Sequence, residues 1–289
     1  MRPNRLPVIF FLLLCPTITR AQATLVQQCK VGNGGSATEF YTVTIASSGG
    51  TTGCTSNFTA GHALFVVYNQ QTGSSDRTTS NISATGATVT WHKAFSAQNT
   101  ILGPPGYFTG IFYACPGDIT SPTSSIPVTV DMGATMTGIT SIFLMEVSGI
   151  TSTSCLDSPF SSGGTLCCAS TQPSTTSTGN TPIANAGEFA IAALMTSSAT
   201  ATVTAGCNGG PTVGTCPSFG AYTVPSNGTD VESASTQTIE SGVVAAAHAV
   251  SCSTFVQSST GAGNFQTIVT SAFIGLPPST GHGPKGKIL

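Results

Sequence analysis

The segment Ile139-Thr-Ser-Ile-Phe-Leu-Met-Glu-Val-Ser-Gly149 decides the fold class of this chain. It is a nearly continuous apolar run that ends at a Ser-Gly turn signal. A run of this kind is typical of a β-strand buried on both faces rather than of a surface helix. Its single charge is Glu146, and a carboxylate in so apolar a segment needs either fixed hydrogen-bond partners or a chemical role.

Similar segments recur along the chain, separated by Gly, Pro, Ser and Asn clusters at intervals of about 8–15 residues. The alternating or apolar pattern predicts strands that include Phe40–Ile45, Leu64–Tyr68, Ala87–His92, Gly110–Ala114, Ile126–Val130 and Glu232–Ile239. This spacing favours an all-β fold, a two-sheet antiparallel β-sandwich. A Gly-x-x-apolar pattern begins at Gly61 and again at Gly187, so we expect each half of the sandwich to start a sheet in the same way.

The first 23 residues read as a secretory signal peptide. Arg2 and Arg5 precede a short apolar core, and Ala21-Gln22-Ala23 is a small-x-small cleavage site. The apolar core is too short to span a bilayer, and no other stretch approaches that length, so we expect no membrane span. We therefore predict a secreted or cell-surface protein with one domain over residues 24–276 and a flexible tail over residues 277–289.

Charged residues make up 6% of the sequence, against about 25% in an average globular protein, and hydroxyl and small residues replace them. Three of the 8 Lys and Arg residues lie in the leader, which leaves about 5 against 10 Asp and Glu. Because phosphate binding needs clustered Lys or Arg, nucleic acid is not an expected partner.

Nine cysteines follow the leader, and export makes disulfides the expected state of most of them. An odd number leaves at least one thiol outside intramolecular bridges. Cys207 and Cys216 flank the turn signal Asn208-Gly-Gly-Pro and are the first candidate pair, and Cys29 with Cys54 is the second. No Cys-x-x-Cys pair and no His at zinc-site spacing occurs, so we expect no metal site.

The order of several segments is similar to that of a concanavalin-type or jelly-roll β-sandwich domain that recurs in secreted bacterial proteins. The segments that carry the resemblance are Gly61–Tyr68, Gly110–Cys115, Ile126–Val130 and Phe143–Ile150, the last followed by Leu156-Asp157. Val147 stands where that family usually has Tyr or Phe. The resemblance implies the fold over roughly residues 60–275. It implies no catalytic residues, because that family has no established activity.

Glu146 admits two interpretations. It could be the acid of a glycosidase, with Asp131 or Asp157 as the second carboxylate. It could instead be a structural carboxylate that accepts hydrogen bonds from backbone N–H groups or hydroxyls, and we favour this interpretation. The G-x-G-x-x-G match at 281–286 has no helix-length segment after it, so we expect no cofactor.

Aromatic residues are the candidates for a sugar contact. Trp91 and Tyr113 lie inside strand patterns and are expected in the core, whereas Tyr107 follows Gly103-Pro-Pro-Gly106 and is the candidate loop-tip contact. We predict an extracellular interaction module without catalytic activity, whose partner is a polysaccharide or another extracellular protein. A carbohydrate-binding domain is the first alternative, and a glycan-cleaving enzyme of jelly-roll fold is the second.

Overall fold

The computed structural model describes residues 23–32, 38–73, 76–99, 106–136, 140–169, 174–177, 188–196, 202–205, 229–232, 235–243, 253–258 and 264–276. These residues lie mostly in β-strands, with two short 3-10 turns at Thr79–Asn81 and Pro116–Asp118. The predicted all-β antiparallel class is therefore confirmed. Residues 1–22 of the predicted leader and the predicted tail over residues 277–289 lie outside the described residues.

The first half of the chain forms two main antiparallel sheets. The five-stranded sheet has the order β1 (Thr24–Gly32), β10 (Thr140–Ser148), β3 (Ala63–Gly73), β7 (Gly106–Ala114) and β6 (His92–Asn99). The three-stranded sheet has the order β2 (Thr38–Ile45), β9 (Ile126–Met136) and β4 (Ile82–Ala84), and β5 (Thr88–Val89) pairs separately with β8 (Ile119–Thr120). The first and last of these strands are neighbours, and the chain crosses repeatedly between the sheets, as in a jelly roll.

The second half repeats this strand order. Its five-stranded sheet has the order β11 (Leu156–Ala169), β18 (Asn264–Phe273), β13 (Phe189–Thr196), β16 (Ser235–Val243) and β15 (Thr229–Glu232). Its three-stranded sheet has the order β12 (Ser174–Ser177), β17 (Ser253–Ser258) and β14 (Thr202–Ala205). The same path is thus traced twice within residues 24–276, the range predicted for a single domain. That domain assignment stays a prediction.

The inner strands β10 and β3 of the first five-stranded sheet are buried on both faces. On one face, Leu64 and Val66 of β3 pack against Tyr41 and Val43 of the three-stranded sheet and form the first core. On the other face, the ring centroid of Phe65 lies 4.4 Å from that of Phe273 and 6.0 Å from that of Phe189, both in the second five-stranded sheet. These rings belong to the second core, which the two five-stranded sheets share. Strand β10 lies between β1 and β3 and is buried over Thr140–Val147. The predicted two-face burial of this segment is therefore confirmed.

The sequence match between Gly61 and Gly187 has a structural counterpart. Strands β3 and β13 are the middle strands of the two five-stranded sheets. Counted from these glycines, Ala63, Phe65 and Val67 occupy the same positions as Phe189, Ile191 and Ala193, and all six side chains lie in the core shared by the two sheets. The match therefore marks equivalent strands in the two halves, but these are the middle strands of the sheets and not the strands that start them.

Two predicted strands are divided in the structure. The segment Ala87–His92 contains β5 and the first residue of β6, with Trp91 buried between them. The segment Glu232–Ile239 contains the junction of β15 and β16, where Glu232 pairs with Ser235. A hydrophobic pattern alone does not show where an apolar residue belongs to a turn rather than to the strand beside it.

The predicted Cys29–Cys54 disulfide is present. A second bridge joins Cys115 to Cys155 and connects the end of β7 to the segment before β11; the sequence did not single out this pair. The predicted Cys207–Cys216 pair lies outside the described residues. Within the described residues, no helix is long and apolar enough to cross a membrane.

Candidate functional site

Glu146 lies near the end of β10, with β1 on one side and β3 on the other. Its side chain is fully buried and points to the same side of the sheet as the first core. The pairing of β1 with β10 shifts register between Leu25 and Gln27, which places Gln27 directly opposite Glu146. Such a bulge re-aims the side chain that follows it. The irregularity in β1 therefore supplies a polar partner to a carboxylate in an apolar strand.

Three donors meet the Glu146 carboxylate. The backbone N–H of Thr59 donates to Oε1 at 3.0 Å, and Nδ1 of His62 lies 2.6 Å from the same oxygen. The Nε2 group of Gln27 donates to Oε2 at 2.5 Å. Each oxygen is thus hydrogen-bonded, which is the condition for keeping a carboxylate buried.

This arrangement orients the imidazole of His62. Its Nδ1 carries the proton when Glu146 is ionised, because a carboxylate can only accept. The side chain of His62 is 19% exposed, whereas that of Glu146 is 0% exposed. A buried carboxylate hydrogen-bonded to a partly exposed imidazole resembles the general base and its orienting carboxylate in nucleophilic enzymes. The pair is therefore a candidate for catalysis as well as for a structural role.

The donors that surround Glu146 belong mainly to the loop 46–62, which joins β2 to β3. The Ser56 backbone exchanges two hydrogen bonds of 3.1 Å with the Gln27 side chain, and Cys54 is bonded to Cys29 of β1. Asn57 Oδ1 accepts from the backbone N–H of Ser47 at 3.0 Å. Phe58 is buried beneath the loop. The Glu146 cluster, which consists of Glu146, Gln27, Thr59 and His62, therefore fixes this loop on the sandwich.

The carboxylates predicted as partners of Glu146 lie elsewhere. Asp131 is on β9, where its Oδ1 accepts from the backbone N–H of Gly133 at 2.6 Å. Asp157 is buried in β11, in the second half of the chain. The groups hydrogen-bonded to Glu146 are an amide, a backbone N–H and an imidazole, and none is the second carboxyl group that glycoside hydrolysis uses.

A second polar cluster surrounds Asp76, which follows β3. Its carboxylate accepts hydrogen bonds from the hydroxyl of Tyr68, the ammonium of Lys93 and, at 2.6 Å, the hydroxyl of Ser96. Burial opposes the charge on Asp76, but the bonds from Lys93, Ser96 and Tyr68 outweigh it and lower the pKa of this carboxyl. Burial, together with the charge on Asp76, raises the pKa of Tyr68. The Nζ of Lys93 also donates to the carbonyl of Arg77 at 2.7 Å, so the cluster ties residues 76–77 to the sheet.

The aromatic predictions have mixed outcomes. Trp91 is buried in the first core as predicted, and Tyr113 packs against the second core and stacks on His92 at 5.2 Å. Nε2 of His92 also lies 3.2 Å from Oδ2 of Asp118. Tyr107 is half-buried and is the second residue of β7, where it pairs with Gln71 and Asn99. It therefore lies in a strand rather than at a loop tip.

An exposed aromatic residue that the sequence analysis did not single out lies on the three-stranded sheet. Phe40 of β2 is 57% exposed and pairs with Asp131 of β9. It belongs to the outer face of this sheet, the side opposite the first core. We define this outer face by its seven exposed or half-buried residues, which are Phe40, Thr42, Thr44, Ser83, Pro127, Thr129 and Asp131.

Sequence reasoning missed His62, Gln27 and Phe40 for different reasons. His62 lies 84 residues from Glu146 and Gln27 lies 119 residues from it, so only the pairing of β1, β10 and β3 brings them together. For Phe40 a signal was present, because the alternation that places Tyr41 and Val43 in the core places Phe40 on the opposite face.

Comparison with protein-family models, with curated proteins and with solved structures finds no match to this chain. The described part of the chain contains no group of three or more His, Cys, Asp or Glu side chains that could hold a metal ion.

Proposed function

We propose that this protein is an exported interaction module that works by surface contact and not by catalysis. The observation that supports the proposal is the hydrogen bonding of the Glu146 carboxylate. Both of its oxygens are hydrogen-bonded, and its partners Thr59 and His62 begin and end the last segment of the loop 46–62. The carboxylate that stood out as a catalytic candidate thus serves to hold a surface loop in one conformation.

The loop that Glu146 fixes is suited to contact. Its anchors Ala46, Cys54 and Phe58 are buried, whereas its exposed residues are short and uncharged. Most of them are polar, namely Ser47, Ser48, Thr52, Thr55, Ser56, Asn57 and Thr59, and the others are Gly49, Ala60 and Gly61. A loop that is already ordered loses less conformational entropy when a partner binds. A rigid, neutral, hydroxyl-rich surface fits a polysaccharide or an uncharged surface of another extracellular protein.

Export is supported by the two disulfides, because such bridges form and persist in oxidising compartments. The first 23 residues are consistent with it as a signal peptide. The resemblance to sandwich domains of secreted bacterial proteins fits the same location.

The experiment is a turnover assay on the exported chain. The protein is incubated with a panel of soluble oligosaccharides and polysaccharides, and products are sought by mass spectrometry, with Glu146→Gln and His62→Asn as companions. We expect no product above the blank for any of the three proteins. Product formation by the wild type that disappears in both folded variants would show that the Glu146 cluster is an active site.

A further inference from the structure

The outer face of the three-stranded sheet carries a combination of groups that none of the structural clusters uses. Phe40 exposes 57% of its surface, and Val26 and Leu276 are the other large apolar residues that are exposed in the described part of the chain. Core aromatics such as Tyr41, the next residue in β2, are buried. Exposing an aromatic ring to water on a regular strand forgoes the stabilisation that burial would give it.

Hydrogen-bonding groups lie beside Phe40 in register. Asp131 is directly opposite it on β9. Two residues further along β2, Thr42 pairs with Thr129, and their hydroxyl oxygens lie 2.8 Å apart. Ser83 of β4 flanks Thr129 on the other side. One oxygen of Asp131 accepts from the backbone N–H of Gly133, which fixes the carboxylate beside the ring.

From this geometry we propose that the outer face binds a neutral polysaccharide, with Phe40 as the stacking platform. A pyranose ring has an apolar C–H face that packs on an aromatic ring and a rim of hydroxyls that pair with carboxylate and hydroxyl oxygens. Neighbouring strands lie about 4.8 Å apart and alternate residues about 7 Å apart. The three rows that begin at Phe40, Thr42 and Thr44 therefore form a continuous strip on which a short stretch of sugar chain can lie.

The charge of the face selects the class of glycan. Among the seven residues that define the face, Asp131 is the one ionic side chain, and none is a cation. A carboxylate repels uronic acids, sulfates and phosphates, and like charges brought together across an interface cost affinity. The complementary ligand is therefore a glycan that offers hydroxyl donors and no negative charge.

This inference rests on the proposed function, since it names the ligand class of a contact module. The test is retention of the exported chain on insoluble cellulose and chitin and its affinity for a soluble neutral β-glucan, with alginate as the anionic comparison. We expect binding to at least one neutral probe and not to alginate. Phe40→Ala should weaken binding by about tenfold, and Phe40→Trp should preserve it.

Two matched controls distinguish specific stacking on Phe40 from nonspecific adsorption to the glycan. Val26→Ala removes another exposed apolar side chain, which is 43% exposed on β1, and should leave binding unchanged. Tyr107→Ala alters the half-buried aromatic of β7 and should also leave it unchanged. Equal binding by wild type and Phe40→Ala, stronger binding to alginate, or no binding to any neutral probe would each overturn the inference. These outcomes differ from glycan turnover, which is the result that would overturn the contact module itself.

Discussion

Replacing Glu146 by Gln keeps the size of this fully buried side chain and removes one acceptor oxygen from it. In the wild type, Oε1 accepts from Thr59 and is paired with His62, while Oε2 accepts from Gln27. A Gln side chain has one acceptor oxygen and one NH2 group. If its oxygen keeps the two partners on the loop, its NH2 group faces the NH2 group of Gln27 across the 2.5 Å that a hydrogen bond now spans.

Two facing donors in a buried site leave at least one of them unsatisfied, which costs about 1–3 kcal/mol. In a chain of this size each kcal/mol lowers the Tm by about 2–4 °C, so a loss of about 2 kcal/mol predicts a fall of about 4–8 °C. Scanning calorimetry and urea unfolding measure the change. Glu39→Gln is the matched control, because Glu39 is a half-buried carboxylate on β2 outside the cluster and its replacement should change stability by less than about 0.5 kcal/mol. An unchanged Tm for Glu146→Gln, accompanied by loss of a measured hydrolytic activity, would refute the structural interpretation.

Three further changes test other parts of the fold. The pKa of Asp76 lies below its ordinary value of 3.8, so the ionised carboxylate stabilises the fold above that pH, and this stabilisation is lost as the pH falls below it. The free energies of unfolding of wild type and Asp76→Asn should therefore differ near neutral pH and converge in acid. A difference that stays constant down to about pH 2 would contradict this. A Cβ on Gly110 would lie 2.4 Å from the ring of Tyr68, so Gly110→Ala should lower the free energy of unfolding by about 1–3 kcal/mol in urea, and an unchanged midpoint would show that the ring moves freely. Removing the Cys29–Cys54 bridge, whose sequence separation is 25, by a double Ala replacement should cost about 3–4 kcal/mol on the chain-entropy model, and denaturant curves that overlay the wild type would exclude this.

The fold class could be predicted because local patterns carry it. The apolar run around Glu146 marks a strand buried on both faces, and the structure covers β10 with a core on each side. The match between Gly61 and Gly187 marks the two middle strands. Such signals depend on neighbours in the sequence, so they are readable without knowledge of strand pairing.

The composition of the site could not be predicted, because it depends on pairing between distant strands. Glu146 attracted attention as a charge in an apolar run, but His62 and Gln27 become its partners only through the register of β3 and β1. Likewise, alternation places Phe40 opposite the core residues of β2, but exposure depends on whether another layer covers that face. Tyr107 was misplaced because a Gly-Pro turn signal does not fix the residue at which the next strand begins.

The measurement that tests contact without catalysis most directly records bound protein and surface glycan together. A neutral β-glucan film on a quartz-crystal balance is exposed to the purified protein, and the mass of the film is followed through binding and washing. The account predicts a reversible rise in mass, a return to the starting value after washing, and a smaller rise for Phe40→Ala. A film that loses mass progressively while the protein is present would show turnover and would contradict the account.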